Sequence, residues 1–466
     1  MRTSPRTNNR WTRFIALLAG AGVVATVSLA ADSSPEAAAA AVPTSFVLKG
    51  AGYGHGVGMS QYGAQEMAKA GWGTNAVLAF YYPGASIQNQ TVGNVRVQLK
   101  QAASVVVRYA GAAGKLAPAG GSAASVAKGA AITLTVSGTN VVASGVGSAK
   151  TAAQFGLTWD GASNCSGYVT VDGAGAGSAG YCRGSMTATV INGQVNLIAT
   201  VGLARDYIYG VAEVPSSWEP TALRAQAAAS RTYAAKQSYK SACNCEVYSD
   251  TRSQSYTGRA KETEAGGWGA RWVSNVNATA PSATVGSLML YGGAPITATY
   301  SAANGGATES SADIWGGSFP YLISKADPWS VKPGVPDSIK AWTMTKTQAE
   351  AKAIFGLADV ASVAITAKTA GGSAKTITAK ASSGASKTLT GAEAIRSAFG
   401  LRSAHFTVTA TAPPTPPPST PPPTNPPVNP PANPPARKPT PIKTPFVSIM
   451  LNSDMTGDKL GEVLAL

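Results

Sequence analysis

Between residues 85 and 200 apolar side chains either alternate with polar ones or run together in short stretches between glycine-rich breaks. Val95–Leu99, Ser104–Arg108, Ala131–Val136 and Val195–Val201 have the period of strands. The pattern changes at Glu219. From there to Gln237 the chain is rich in alanine, and Pro220 stands where the first turn of a helix tolerates it, which predicts a long helix. Residues 285–300 return to strand character. Residues 347–357 and 391–399 predict short helices, with strands across 361–390 and at Phe406–Ala410. The expected class is α+β: a β-rich domain with an inserted or appended β subdomain and a few helices around a cleft.

The two ends of the chain follow other rules. Arg2, Arg6, Arg10 and Arg13 precede the apolar run Phe14–Ala30, and small residues follow as far as Ala41. This predicts a secretory signal peptide over residues 1–41, cut near Ala31 or Ala41. The run is short for a transmembrane anchor, so no membrane anchor is expected after cleavage. From Pro413 to Pro445 there are 17 prolines in 33 residues, so 412–445 is a polyproline spacer rather than part of a core. Residues 446–466 are too few to fold alone. Asp454, Asp458 and Glu462 lie there around a glycine, a faint calcium-loop pattern, and the piece resembles a truncated FG-GAP or VCBS repeat.

Composition narrows the chemistry. The chain has 466 residues, 13% of them charged, and a net charge of +15. Removing residues 1–41 takes four arginines and two carboxylates with it and leaves +13. A basic exported protein meets anionic lipid or an anionic cell wall, and export makes nucleic acid an unsuitable partner. Only two histidines are present, His55 and His405, which excludes a histidine-rich zinc centre. Four cysteines suit an oxidising compartment. Cys165 and Cys182 flank a hairpin-like segment and are expected to be bridged, whereas Cys243 and Cys245 either pair in a tight ring or remain thiols.

Three segments carry candidate chemistry. In Gly52–Ala64 four glycines surround His55, and Ser60 and Gln61 follow. The segment reads either as a tight turn with a structural histidine or as the wall of a polar cleft. In Tyr209–Pro220, Glu213 sits among apolar neighbours, a setting that raises a carboxyl pKa and suits a general acid. On the following helix Gln226, Ser230 and Tyr233 share one face and Arg224 and Arg231 another. One face packs, the other lines the cleft, and Gln226, Arg231 and Tyr233 are candidate ligand contacts. In Thr299–Trp329, Ser301, Asn304, Gly305 and Gly306 offer hydrogen-bonding groups, and Trp315, Tyr321 and Trp329 offer flat apolar faces. Sugars are bound by that combination.

Taken together these segments resemble the SpoIID/LytB family of sporulation proteins and amidase enhancers. The resemblance runs over residues 45–410 and rests on Val211–Ala234, on Tyr300-Ser-Ala-Ala-Asn-Gly-Gly followed by Asp313-Ile-Trp-Gly-Gly, and on Gly54–Ala64 followed by Tyr81-Tyr-Pro-Gly. It implies a division into an N-terminal Gly-His-Gly segment (42–84) docking on the core, a β-rich region (85–200), a catalytic core (201–336) and a C-terminal α/β part (337–411). It further implies a secreted, wall-associated lytic transglycosylase that cleaves MurNAc–GlcNAc bonds of peptidoglycan with Glu213 as acid and then base. The alternative it carries is a non-catalytic enhancer that binds the wall and stimulates a cell-wall amidase. In typical members the Gly-His-Gly segment comes last, so here it looks circularly permuted. Some relatives have a zinc-binding histidine where this chain has Ser301, so no metal or other cofactor is expected.

Overall fold

The structure, a computed structural model, describes residues 42–411. The signal-peptide reading of 1–41, the 412–445 spacer and the calcium candidates Asp454, Asp458 and Glu462 lie outside the described residues. The architecture is a β-rich α+β fold, as the alternation predicts.

Two antiparallel-dominated sheets occupy the β-rich region. One runs Val247–Tyr248, Asn94–Ala102, Gln194–Gly202, Ser185–Ile191, Phe155–Trp159, Gly114–Pro118, Ala124–Val126. The other runs Lys150–Ala152, Asn140–Ser144, Ala131–Ser137, Val105–Arg108, Thr170–Val171. Their alternating inward residues, among them Val97, Val107, Leu134, Phe155 and Leu197, meet in the largest buried cluster.

The helix Pro220–Lys236 joins this cluster to a second one. Leu223, Ala227 and Ala234 face the sheets. Ala225, Ala228 and Ala229 face Val57, Met59, Met67, Val77 and Leu78 of the N-terminal segment. Alanine on both sides lets neighbours approach closely, and full burial of each Val, Leu or Met contributes about 1.5–3 kcal/mol. The segment 42–84 is therefore held on the core by its own apolar side chains, with the helices Gln61–Lys69 and Thr74–Tyr81 carrying most of them.

A third cluster gathers Phe46, Leu48, Trp342, Phe355, Ile377, Ile395, Phe399 and Phe406. Its frame is a three-stranded antiparallel sheet in which Ser45–Gly50 lies between Trp342–Thr347 and Phe406–Thr411. The register sets Ser45 opposite Thr411 and Gly50 opposite Phe406, so the first and last described strands are neighbours. Adjacent ends are what a circular permutation requires.

Both cysteine pairs are bonded, Cys165 to Cys182 and Cys243 to Cys245. Glu262 stands beside Cys165 and Cys182 in the one group of potential metal donors among the described residues, but the two sulfurs are already joined to each other. No helix among the described residues is long and apolar enough to cross a membrane.

Candidate active site

Glu213 sits in the loop between the short helix Asp206–Tyr209 and the helix Pro220–Lys236. That loop is zipped to a downstream strand-like segment. Ala212 N–H donates to the Ser255 carbonyl (2.8 Å), Thr257 N–H donates to the Gly210 carbonyl (2.8 Å), and Val211 bridges to Tyr256. The zipper brings the Ser255 N–H to Glu213 Oε1 at 2.6 Å. Oε2 is buried and has no partner. The residue is 6% exposed. Burial pushes its carboxyl up to about 7, against the pull of the Ser255 N–H, which favours the charged form. Half of the Glu213 population then carries a proton near neutral pH.

A ring of amides and hydroxyls closes around this group. Gln61 Nε2 donates to the Glu213 carbonyl and to Gln226 Oε1, both at 3.2 Å. Gln226 Nε2 donates to Ser230 Oγ (2.9 Å), and Ser230 Oγ donates to the Tyr300 hydroxyl (3.4 Å). From the other side Gln254 Nε2 donates to the same hydroxyl (2.7 Å), and Tyr207 donates to Gln254 Oε1 (2.9 Å). Tyr233, half-buried, meets Tyr300 edge to face at 6.5 Å between centroids. Gln61, Gln226 and Tyr233 are thus gathered at Glu213. Gln254, Ser255, Tyr207 and Tyr300 were not singled out by the sequence. Tyr300 stood one position before a chosen residue, and the stretch around Gln254 has no period to mark it.

Arg231 requires correction. The sequence offers it as a ligand contact, but it is fully buried. Its Nε donates to the Ala204 carbonyl (2.8 Å), Nη1 to the Thr279 and Ser287 carbonyls (3.3 and 3.2 Å), and Nη2 to Thr279 Oγ1 (3.2 Å). Among the described residues no carboxylate pairs with it, and burial brings its pKa down to about 9. It ties three separate segments together. Arg231→Met is expected to lower stability by about 3 kcal/mol or more, because it strands buried carbonyls. Denaturant unfolding checks this, and an unchanged midpoint would show that the bonds are dispensable.

Ser60 and Asn304 are likewise turned inward. Ser60 Oγ accepts from Gly63 N–H as the N-cap of its helix and donates to Ser330 Oγ, both at 3.0 Å. Asn304 Nδ2 donates to Asp327 Oδ2 (2.7 Å), which also accepts from the Tyr81 hydroxyl (2.9 Å). These polar atoms satisfy one another in the core instead of facing a cleft. Ser301 is buried beside Ser60 across a parallel bridge, and its Oγ has no partner.

The glycines serve backbone packing. Gly305 and Gly306 have φ of +80° and +115°. A Cβ on Gly305 would lie 2.7 Å from the Ala51 carbonyl oxygen, and one on Gly58, at φ +76°, would lie 2.1 Å from that of Thr299. The strand-like edges touch there, with Tyr53 N–H donating to the Ala303 carbonyl and Glu309 N–H to that of Gly56. The Gly-His-Gly loop is thereby pinned to the 299–309 segment.

His55 is held by contacts of its own, the Tyr300 backbone among them. Its Nδ1 accepts from Val57 N–H (3.0 Å), and its ring meets Trp315 at 5.0 Å. Burial brings its pKa down to about 4, so it is neutral near pH 7. Its charged neighbours are Glu393 and Arg396 of the helix Ala392–Phe399. Trp315 is 46% exposed and offers a surface aromatic platform beside it. No hydrogen bond joins His55 to Glu213 among the described residues.

Residues 191–291 match the family model described as SpoIID, stage II sporulation protein. The chain is 36% identical over 144 residues to the amidase enhancer of Bacillus subtilis (strain 168), covering 30% of this chain and 17% of that protein. It is 32% identical over 152 residues to stage II sporulation protein D of the same strain, covering 31% and 44%. To the stage II sporulation protein D of Bacillus amyloliquefaciens it is 29% identical over 211 residues, covering 43% and 58%. The chain thus spans less than two thirds of the length of each of these relatives. No solved structure matches it. The segment that matches holds Glu213, Gln226 and Gln254 together, and it is through this segment that the chain is similar to the SpoIID family.

Proposed function

We propose that the protein is a secreted, wall-associated lytic transglycosylase acting on peptidoglycan glycan strands. Glu213 carries the reading, as a buried carboxyl with a pKa of about 7, one oxygen fixed by an amide and the other without a partner. Protonated, it gives its proton to the oxygen between MurNAc and GlcNAc as that bond breaks. As a carboxylate it then takes the proton of the MurNAc C6 hydroxyl, whose oxygen closes onto C1. One carboxyl group suffices because the nucleophile belongs to the sugar, whereas ordinary glycosidases need two. A mature charge of +13 favours attraction to an anionic wall.

The products are expected to end in 1,6-anhydro-MurNAc, which mass spectrometry of digested, peptide-free glycan will detect. Reducing MurNAc ends would mean that water attacks and that the protein is a hydrolase. A second reading is favoured by the likeness to a protein named amidase enhancer. Under it the protein releases no sugar product but accelerates an added cell-wall amidase.

A further inference from the structure

The hydrogen-bond ring around Glu213 has a direction, and the direction leaves one proton over. Gln61 and Gln226 have two amide protons each to give: Gln61 gives one to the Glu213 carbonyl and one to Gln226, and Gln226 passes one on to Ser230. Ser230 passes its own proton to the Tyr300 oxygen. On the opposite arc Tyr207 gives its proton to Gln254 Oε1, so the Gln254 amide nitrogen faces Tyr300 and donates to it. The Tyr300 oxygen therefore accepts twice. A phenol has one proton to donate, and among the described residues that of Tyr300 has no acceptor.

The ring also leaves one acceptor over. Its two ends return to Glu213, at the carbonyl through Gln61 and at Oε1 through Ser255, the residue next to Gln254. Oε2 is the oxygen of that carboxyl that has no hydrogen-bond partner. An unused donor and an unused acceptor thus belong to one closed network. Each residue keeps a small exposed area, 6% for Glu213 and 8% for Tyr300, although Oε2 itself is covered, so a ligand must displace what lies over it. A hydroxyl group is the natural bridge between them, since it accepts one hydrogen bond and donates another.

We infer that Tyr300 is a second ligand-contacting group of this site, donating its hydroxyl proton to a sugar hydroxyl oxygen that in turn donates to Glu213 Oε2. The inference rests on the proposed role of Glu213 for its placement in a glycan site. Burial holds the phenol protonated well beyond neutral pH, so the donor is available wherever the enzyme works. Under the proposed chemistry the bridging group is the C6 hydroxyl. Tyr300 then orients the nucleophile while Glu213 takes its proton.

Tyr300→Phe tests this in the full mature chain, because it keeps the ring and removes only the hydroxyl. Cleavage of peptide-free glycan is expected to fall roughly 10- to 100-fold. In a Glu213→Gln background, where turnover does not interfere, adding Tyr300→Phe is expected to weaken binding of peptide-free glycan strands about 5- to 10-fold, one lost hydrogen bond. Phe leaves two donors to be re-partnered, and both have an acceptor at hand: Gln254 Nε2 keeps the Ser230 carbonyl at 3.4 Å, and the Ser230 hydroxyl, inside a helix, can turn to the Gln226 carbonyl four residues back while still accepting from Gln226 Nε2. Unchanged affinity in a folded variant overturns the role of Tyr300. If that happens while Glu213→Gln still abolishes cleavage, the acid–base reading stands without it. If Glu213→Gln keeps wild-type cleavage, that reading falls, and the affinity comparison still decides whether Tyr300 touches the ligand.

Discussion

Glu213→Gln is expected to reduce release of soluble glycan fragments by 10²-fold or more and to leave the protein at least as stable as the parent at pH 8. The first effect follows from removing the only proton the site can exchange, and general acid–base catalysis contributes about 10²–10⁴-fold. The second follows from linkage. A carboxyl raised from 4.5 to about 7 holds its proton more tightly folded than unfolded. Below pH 4.5 this carries no penalty. Between 4.5 and 7 the folded state loses stability as the unfolded chain ionises first, and above 7 the loss is constant. At 1.36 kcal/mol per unit it is about 3 kcal/mol. Gln avoids that loss, although its amide group lacks an acceptor in the place of Oε2, which costs about 1–3 kcal/mol. Assay of fragment release beside thermal melts at pH 4.5 and pH 8 checks both. A variant that cleaves like the parent removes Glu213 from the chemistry, and one that melts earlier at pH 8 shows that the carboxyl is not desolvated as described.

Turnover is expected to fall about tenfold for each pH unit above 7, reaching roughly 100-fold at pH 9. Only the protonated fraction of Glu213 can protonate the leaving oxygen, and that fraction declines tenfold per unit above its pKa of about 7. His55 does not complicate the alkaline limb, because burial keeps it neutral from about pH 4 upwards. Arg231, brought down to about 9, loses its charge only at the far end and in the core, where the effect is on stability. Initial rates between pH 6 and 9 on peptide-free glycan measure the slope. A flat profile across that range would mean that the proton comes from a group other than Glu213.

Much of the frame was legible because its causes are local. Pro220 and the alanine run fix the helix Pro220–Lys236 to within a residue of the expected span, and glycine after Phe399 ends one short helix where the sequence places its end, whereas glycine after Phe355 ends the other two residues before the expected 357. The raised carboxyl of Glu213 was legible for the same reason, since its apolar neighbours are adjacent in sequence. The partners of Glu213 were not. Ser255 and Gln254 lie some 40 residues downstream in a segment without period, and only the zipper with residues 210–212 brings them there. Arg231 was misread because helical spacing separates two faces without saying that both are covered, which alanine makes possible here. Ser60 and Asn304 were misread because small polar residues beside glycine serve helix caps and turns as readily as ligands.

The pairing of Ser45 with Thr411 bears on how the chain finds its fold. Neighbouring antiparallel strands close most cheaply as a local hairpin, across a few residues. Here the partners are 366 positions apart. Loop closure costs about 0.6 kcal/mol for each doubling of length, so closing this loop in place of a hairpin turn costs roughly 4 kcal/mol more. Contact order rises accordingly, and folding slows. Phe46 and Leu48 emerge from the ribosome long before both partner strands, and they cannot be covered until the strands at 342–347 and 406–411 exist. The first described strand is therefore the last to be paired, and until then it is an unpaired apolar edge exposed to aggregation.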